Sequence, residues 1–216
     1  MRRYAPLLAG LCATLLLAPA AVAVAQDVSP SPVPESPAPE MMSPAPEANG
    51  ADDLPPQALE LLALFPTQIA GQPVVEEPLV VVGQELIADL DPGNEADARQ
   101  LAAVEVVLET ADATIEEVTS ASVLVDLGGG AIALVGAFRI EGSDALATLS
   151  AYVDAYSLDV AEPVTEAAEI GGREVVLVND SANPESGPAI FLASGDVTWI
   201  VVAPEAIREE VIESLP

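Results

Sequence analysis

Val123-Leu124-Val125-Asp126-Leu127-Gly128-Gly129-Gly130-Ala131-Ile132-Ala133-Leu134-Val135-Gly136-Ala137-Phe138-Arg139-Ile140 reads as two strands joined by a glycine turn. Val123, Val125 and Leu127 alternate at the strand period before the turn, and Ile132, Leu134, Phe138 and Ile140 do so after it. Glycine supplies the positive φ that a tight hairpin needs. Strands joined this tightly must be antiparallel, because a parallel pair requires a long crossover.

The pattern repeats toward the C-terminus. Two strands flank Gly171-Gly172, and a second hairpin runs from Ala189 to Ala193, through Ser194-Gly195-Asp196, into Val197 to Val202. Helical spacing appears in four places. Pro56 to Leu64 predicts a short helix with Leu59, Leu62 and Phe65 inward and Pro66 ending it. Asp91-Pro92 predicts the start of a helix reaching Ala111, with Leu101, Val104 and Leu108 on one face and Glu95 to Arg99 as an i,i+4 ion pair. Ser143 is the expected cap of a helix burying Leu146, Leu149, Val153 and Tyr156, and Pro204 opens a last helix burying Ile207, Val211 and Leu215. The fold class is therefore α+β: an antiparallel sheet built of hairpins, with helices on one face.

Ile69-Ala70-Gly71-Gln72-Pro73-Val74-Val75 is similar to Ile170-Gly171-Gly172-Arg173-Glu174-Val175-Val176, and each precedes a hairpin and an amphipathic helix. An internal pseudo-twofold duplication would explain this, with the 91 to 111 helix inserted in the first copy. The alternative is that the motif is a recurrent hairpin signature.

Outside residues 57 to 216 the composition changes. Arg2-Arg3 precede an uncharged apolar run that ends in Ala23-Val24-Ala25, the pattern of a secretory signal peptide over residues 1 to 25, or of an anchor if it stays uncleaved. Residues 26 to 56 form a Pro-rich linker in which Ser31-Pro32-Val33-Pro34-Glu35, Ser36-Pro37-Ala38-Pro39-Glu40 and Ser43-Pro44-Ala45-Pro46-Glu47 recur. Proline at alternate positions fixes φ and removes amide donors, so an extended polyproline-II spacer is expected. The only cysteine, Cys12, lies in the apolar run, so cleavage would leave no thiol for disulfides, zinc or redox chemistry.

Leu64-Phe65-Pro66 before Ile69-Ala70-Gly71, Ala137-Phe138-Arg139-Ile140 before a helix, and Gly195-Asp196-Val197 before Val201-Val202-Ala203 together resemble uncharacterised secreted bacterial proteins with a Pro-rich linker and a C-terminal α+β domain. The resemblance implies export and a fold type. It implies no site.

The 216 residues carry 35 acids, six arginines, no lysine and no histidine, for a net charge of −29, yet 51% are hydrophobic. That apolar content supports a core, unlike a disordered acidic chain. A basic footprint for nucleic acid is absent. Serine has no histidine or lysine to activate it, and acids are too numerous for a carboxylate pair to be informative. Asp89, Asp91, Asn94, Glu95 and Asp97 form the densest oxygen cluster and are the calcium candidate; position six of an EF-hand would be Asn94 instead of glycine. The same residues also suit a loop running into a helix N-cap, where the dipole favours acids. Arg139 and Arg173, lying in or beside strands, are expected to pair with cross-strand acids, and Trp199 is expected in the core.

These observations point to an exported, non-enzymatic interaction, sensing or ligand-binding domain on an extended stalk, with an envelope or extracellular partner and no membrane contact beyond the N-terminal segment. Two alternatives remain: a carboxylate-dependent envelope hydrolase, and a structural protein adapted to high salt.

Overall fold

A computed structural model describes residues 54–69, 71–74, 78–128, 131–184 and 187–216. The signal-like segment, the Pro-rich repeats and Gly129-Gly130 lie outside the described residues.

The elements are α1 (Pro56–Leu62), β1 (Gln68–Ile69), β2 (Gln72–Pro73), β3 (Leu79–Val82), α2 (Glu95–Ala111), β4 (Val118–Gly128), β5 (Ala131–Ile140), α3 (Ala145–Ser157), β6 (Pro163–Ile170), β7 (Arg173–Asp180), β8 (Ala189–Ser194), β9 (Val197–Val202) and α4 (Arg208–Ser214). Seven strands form one sheet in the order β3-β4-β5-β9-β8-β7-β6, every pair antiparallel. The hairpin 118 to 140 is its long spine, and a second, two-stranded sheet pairs β1 with β2. The α+β class inferred from the hairpin pattern is the one observed.

Strand alternation sends successive side chains to opposite faces, and both faces are covered. On one face Val118, Ile140, Val178, Phe191 and Ile200 pack with Val107 of α2 and Tyr152, Val153 and Tyr156 of α3. On the other, Val123, Val135, Ile190, Trp199 and Val201 pack with Leu61 of α1, Ile69 of β1 and Val211 and Ile212 of α4. The expectation of helices on one face holds for the two long helices only. The second face is equally apolar, so it too must be roofed, and two seven-residue helices do this.

The helical phases differ from expectation at particular residues. Leu59 is 47% exposed while Ala58 and Leu61 are buried, and Leu146 is 67% exposed while Ala145 and Thr148 are buried. Near a helix start the buried stripe is set by the angle at which the chain enters, which leucine spacing does not record. Asp144, rather than Ser143, caps α3 by accepting from the Leu146 amide at 3.0 Å; Ser143 Oγ donates to the Ile140 carbonyl. Arg99 Nε reaches the Glu95 carbonyl at 3.4 Å in place of the expected carboxylate.

The duplication is met in part. Ile69 faces Gln72 and Ile170 faces Arg173, so the two Ile-x-Gly turns share a register, and the order β3-β4-β5 then β9-β8-β7 is symmetric about the central pair. The helices break the symmetry. A twofold normal to the sheet keeps each helix on its face, whereas α3 after β5 and α4 after β9 lie on opposite faces.

Tyr152 packs edge-on against Phe138 with centroids 4.3 Å apart, and its fully buried Oη has no hydrogen-bond partner. Burial pushes this phenol well above the ordinary value of 10.0. Such a group leaves stability independent of pH below about pH 10 and lowers it as pH rises from there toward its folded value. Tyr152→Phe removes an unsatisfied polar atom and is expected to stabilise the domain by about 1 kcal/mol, a margin that widens above about pH 10. Denaturant melts at neutral and alkaline pH check both parts.

Candidate functional site

The calcium candidates sit at the N-terminus of α2, where their oxygens serve the backbone. Asp91 Oδ1 accepts from the Gly93 amide at 2.8 Å, Asn94 Oδ1 from the Ala96 amide at 2.9 Å, and Asp97 Oδ2 from the Asp91 amide at 3.2 Å. Asn94 is the N-cap, with Pro92-Gly93 in the preceding turn, so the helix starts later than expected. Asp89 and Glu95 are exposed, and no side-chain hydrogen bond joins either to the other three. Among the described residues no group of three or more His, Cys, Asp or Glu side chains is arranged to hold a metal. Asp91, Asn94 and Asp97 shape the turn before α2 and cap its start.

Arg139 organises a second polar region, where α1 meets the ends of β4 and β5. Its Nε donates to Asp196 Oδ2 at 2.6 Å and its Nη1 to Glu60 Oε2 at 3.1 Å. The hydrogen bond to Asp196, and after it the one to Glu60, raises the guanidinium's pKa above its ordinary range. These are the two ion pairs found among the described residues. Asp196 is in the β8–β9 turn, so this arginine meets acids from a turn and a helix instead of from a neighbouring strand. A cavity of about 140 Å³ beside it is lined by Gln57, Glu60, Glu117, Thr119 and Glu141. Three acids surround one arginine already engaged by carboxylates, which leaves no attraction for an anion.

Arg173 departs further from expectation. Its Nη1 donates to the carbonyls of Ile212 at 3.3 Å and Leu215 at 3.0 Å, and its Nη2 to that of Pro216 at 2.8 Å, while Ser194 Oγ donates to the same Pro216 oxygen. The main-chain oxygens at and just past a helix C-terminus carry partial negative charge, so they compete with side-chain carboxylates for a cation. Trp199 is fully buried, as expected.

The region that sequence reasoning left without a role is β6, Pro163-Val164-Thr165-Glu166-Ala167-Ala168-Glu169-Ile170, at the sheet edge. Residues 163 to 167 are exposed, so both faces of its first half are open. The two-residue turn closes on the pair Ile170 and Arg173, which makes Ile170, Ala168, Glu166 and Val164 the residues that exchange hydrogen bonds with β7. Glu169, Ala167 and Thr165 then point their N–H and C=O groups away from the sheet, and Pro163 points a carbonyl. The signal in the sequence is compositional: neither phase of β6 is continuously bulky and apolar, so it cannot be a central strand.

Glu169 lies directly opposite Glu174 at a non-hydrogen-bonded position, where side chains are closest. The side chains of Glu166, Glu169, Glu174 and Glu213 make no ion pair or hydrogen bond among the described residues, and Glu213 lies over the turn, its Cγ 2.8 Å from where a Cβ on Gly171 would stand. With so few cations to offset them, these acids repel one another. Raising NaCl from about 0.05 M to about 1 M is therefore expected to raise the denaturant midpoint, because the Debye length falls below the acid spacing; an unchanged midpoint would contradict this.

Proline substitutions separate the two sides of β6. Ala168→Pro removes a ladder donor and is expected to destabilise by about 2–3 kcal/mol, whereas Ala167→Pro removes only an outward donor and costs less than about 1 kcal/mol. Thermal melts of the two variants check the pairing phase.

No family model, curated protein or solved structure matches the chain. Among the described residues no helix is long and apolar enough to cross a membrane.

Proposed function

We propose that the chain is an exported, non-enzymatic interaction domain, presented on a Pro-rich spacer and engaging its partner through the β6 edge. The observation that carries this reading is an eight-residue strand with one hydrogen-bonding side unpaired among the described residues and the first half of both faces exposed. An open edge is a template for another strand; proteins that do not use one shorten it, cover it, bulge it, or set charges and proline on it, and β6 keeps eight residues with Pro163 only at its start and Glu166 and Glu169 as its charges. Export rests on Arg2-Arg3, the apolar run and Ala23-Val24-Ala25, and the spacer on the three Ser-Pro-x-Pro-Glu repeats. The large charge adds solubility and discourages contact between copies of the chain.

The test is a photo-crosslinking amino acid placed at Thr165 of the full chain in cells that produce it, with Val106 on the exposed side of α2 as control. A discrete adduct from position 165 and none from 106 is the expected result. Adducts from both or neither count against the β6 edge as the contact surface.

A further inference from the structure

We infer that the occupant of the β6 edge is an extended cationic segment of another protein, carrying two basic side chains three residues apart; this rests on the reading of β6 as the docking edge. The register determines the spacing. Outward N–H groups at Thr165, Ala167 and Glu169, with the carbonyls of the same residues, accept an incoming strand over the length of β6. A residue facing β6 across that new ladder would have its Cβ about 4.5–5.5 Å from its partner's. Glu166 and Glu169 offer unpaired carboxylates, so the residues opposite them meet a negative charge. Because 166 and 169 differ by an odd number, these charges lie on opposite faces of the sheet, Glu166 with the α1/α4 face and Glu169 with the α2/α3 face. Glu174 stands beside Glu169 and reinforces the second position. Val164, 50% exposed, offers an apolar contact two residues beyond Glu166 on its face.

In an antiparallel addition the incoming strand therefore reads basic-x-x-basic-x-apolar. The same acids disfavour a second copy of this chain: antiparallel pairing of two β6 strands sets Glu166 against Glu166 in the register that places Thr165 opposite Ala167, and every register brings together two molecules of charge −29. Edge protection and partner selection are thus one device: charge excludes like strands and admits the opposite one. The cation needs no specific hydrogen bond, since main-chain pairing supplies the attachment and the paired acids supply the choice.

The probe is the peptide Thr-Lys-Thr-Thr-Lys-Thr-Val-Thr, blocked at both ends, with Gln and Glu replacing Lys in two controls. Binding to the full chain is followed at about 0.15 M salt by titration and by amide hydrogen exchange. The Lys peptide is expected to slow exchange at Thr165, Ala167 and Glu169 and to bind at least tenfold tighter than the Gln peptide, with no binding by the Glu peptide. Ala167→Pro, or Thr165→Pro if the first variant does not fold, is expected to weaken the Lys peptide at least tenfold while the melting temperature falls by no more than about 5 °C. Lys-peptide binding that leaves the three amides unprotected and ignores the proline variants is counterion adsorption and overturns the inference. Equal edge protection by the Gln peptide overturns the cationic assignment while the docking edge stands. Edge protection in the free chain, together with a dimer in sedimentation, makes a second copy the occupant and overturns it as well. If no peptide protects the edge but the Thr165 cross-link persists, the partner is a strand of other chemistry; if the cross-link is also absent, the docking reading falls with it.

Discussion

Trp199→Ala is expected to lower the free energy of unfolding by about 3–5 kcal/mol, the range for a large aromatic removed from a core that cannot collapse around the gap. Trp199 sits in β9 with no exposed surface, between Ala137 of β5 and Leu192 of β8. Phe65, just past α1, meets it edge-on at 5.1 Å and 66°, a geometry that adds to area burial. The neighbouring strand β5 carries Ala133, Val135 and Ala137 on this face, and its two alanines leave room for the indole. Domains have about 5–15 kcal/mol in total, so the variant should be marginal at room temperature. Trp199→Phe is the informative partner. It keeps a ring and removes the indole N–H, which is buried without an acceptor, so its cost is expected to be about 1–2 kcal/mol. Denaturant unfolding gives both values. A loss below about 1 kcal/mol for Trp199→Ala would mean that α1 and α4 do not close-pack this face.

Arg173→Ala is expected to cost about 2–3 kcal/mol, because three charge-assisted hydrogen bonds to backbone carbonyls are lost together. The guanidinium ties the β6–β7 hairpin to the end of α4, so its loss should also speed amide exchange in residues 211 to 215. Lysine cannot reproduce the planar fork, and Arg173→Lys is expected to fall between the two. An alanine variant within about 0.5 kcal/mol of the original would show that α4 is held by Val211, Ile212 and Leu215 alone.

The sheet was legible in the sequence because its strongest signals are local. The hairpins 118 to 140 and 189 to 202 are marked by alternation and by turn glycines, and both effects act within a few residues. What could not be read was anything decided by partners distant in the chain. Leu146 has the right spacing for the α3 core stripe, yet it is exposed while Ala145 and Thr148 beside it are buried. Arg173 has many carboxylates within reach in composition, but only the fold brings the carbonyls of Leu215 and Pro216 to it. The second helical face follows from strands that are apolar at both phases, as in Ala189 to Leu192, all buried. That pattern indicates two-sided cover, which tight hairpins alone do not distinguish from one-sided cover.

The oxygen cluster at residues 89 to 97 teaches the complementary point. Sequence density of acids cannot separate a cation site from a helix cap, since both need oxygens facing one point. The hydrogen bonds of Asp91, Asn94 and Asp97 show which role their oxygens fill in this structure. The strand β6 was legible as a strand, and only its composition signalled an edge; the order of the other strands depends on the return of β9 to the side of β5.

The most direct test of the central claim is residue-resolved amide hydrogen exchange along β6 in the free, full-length chain. Thr165, Ala167 and Glu169 are expected to exchange near the rate of an unstructured chain, while Val164, Glu166 and Ala168, bonded to β7, are slower by at least about tenfold. Equal protection of both sets would mean that the edge is already covered, and would contradict the account of this domain as one that docks a partner strand there.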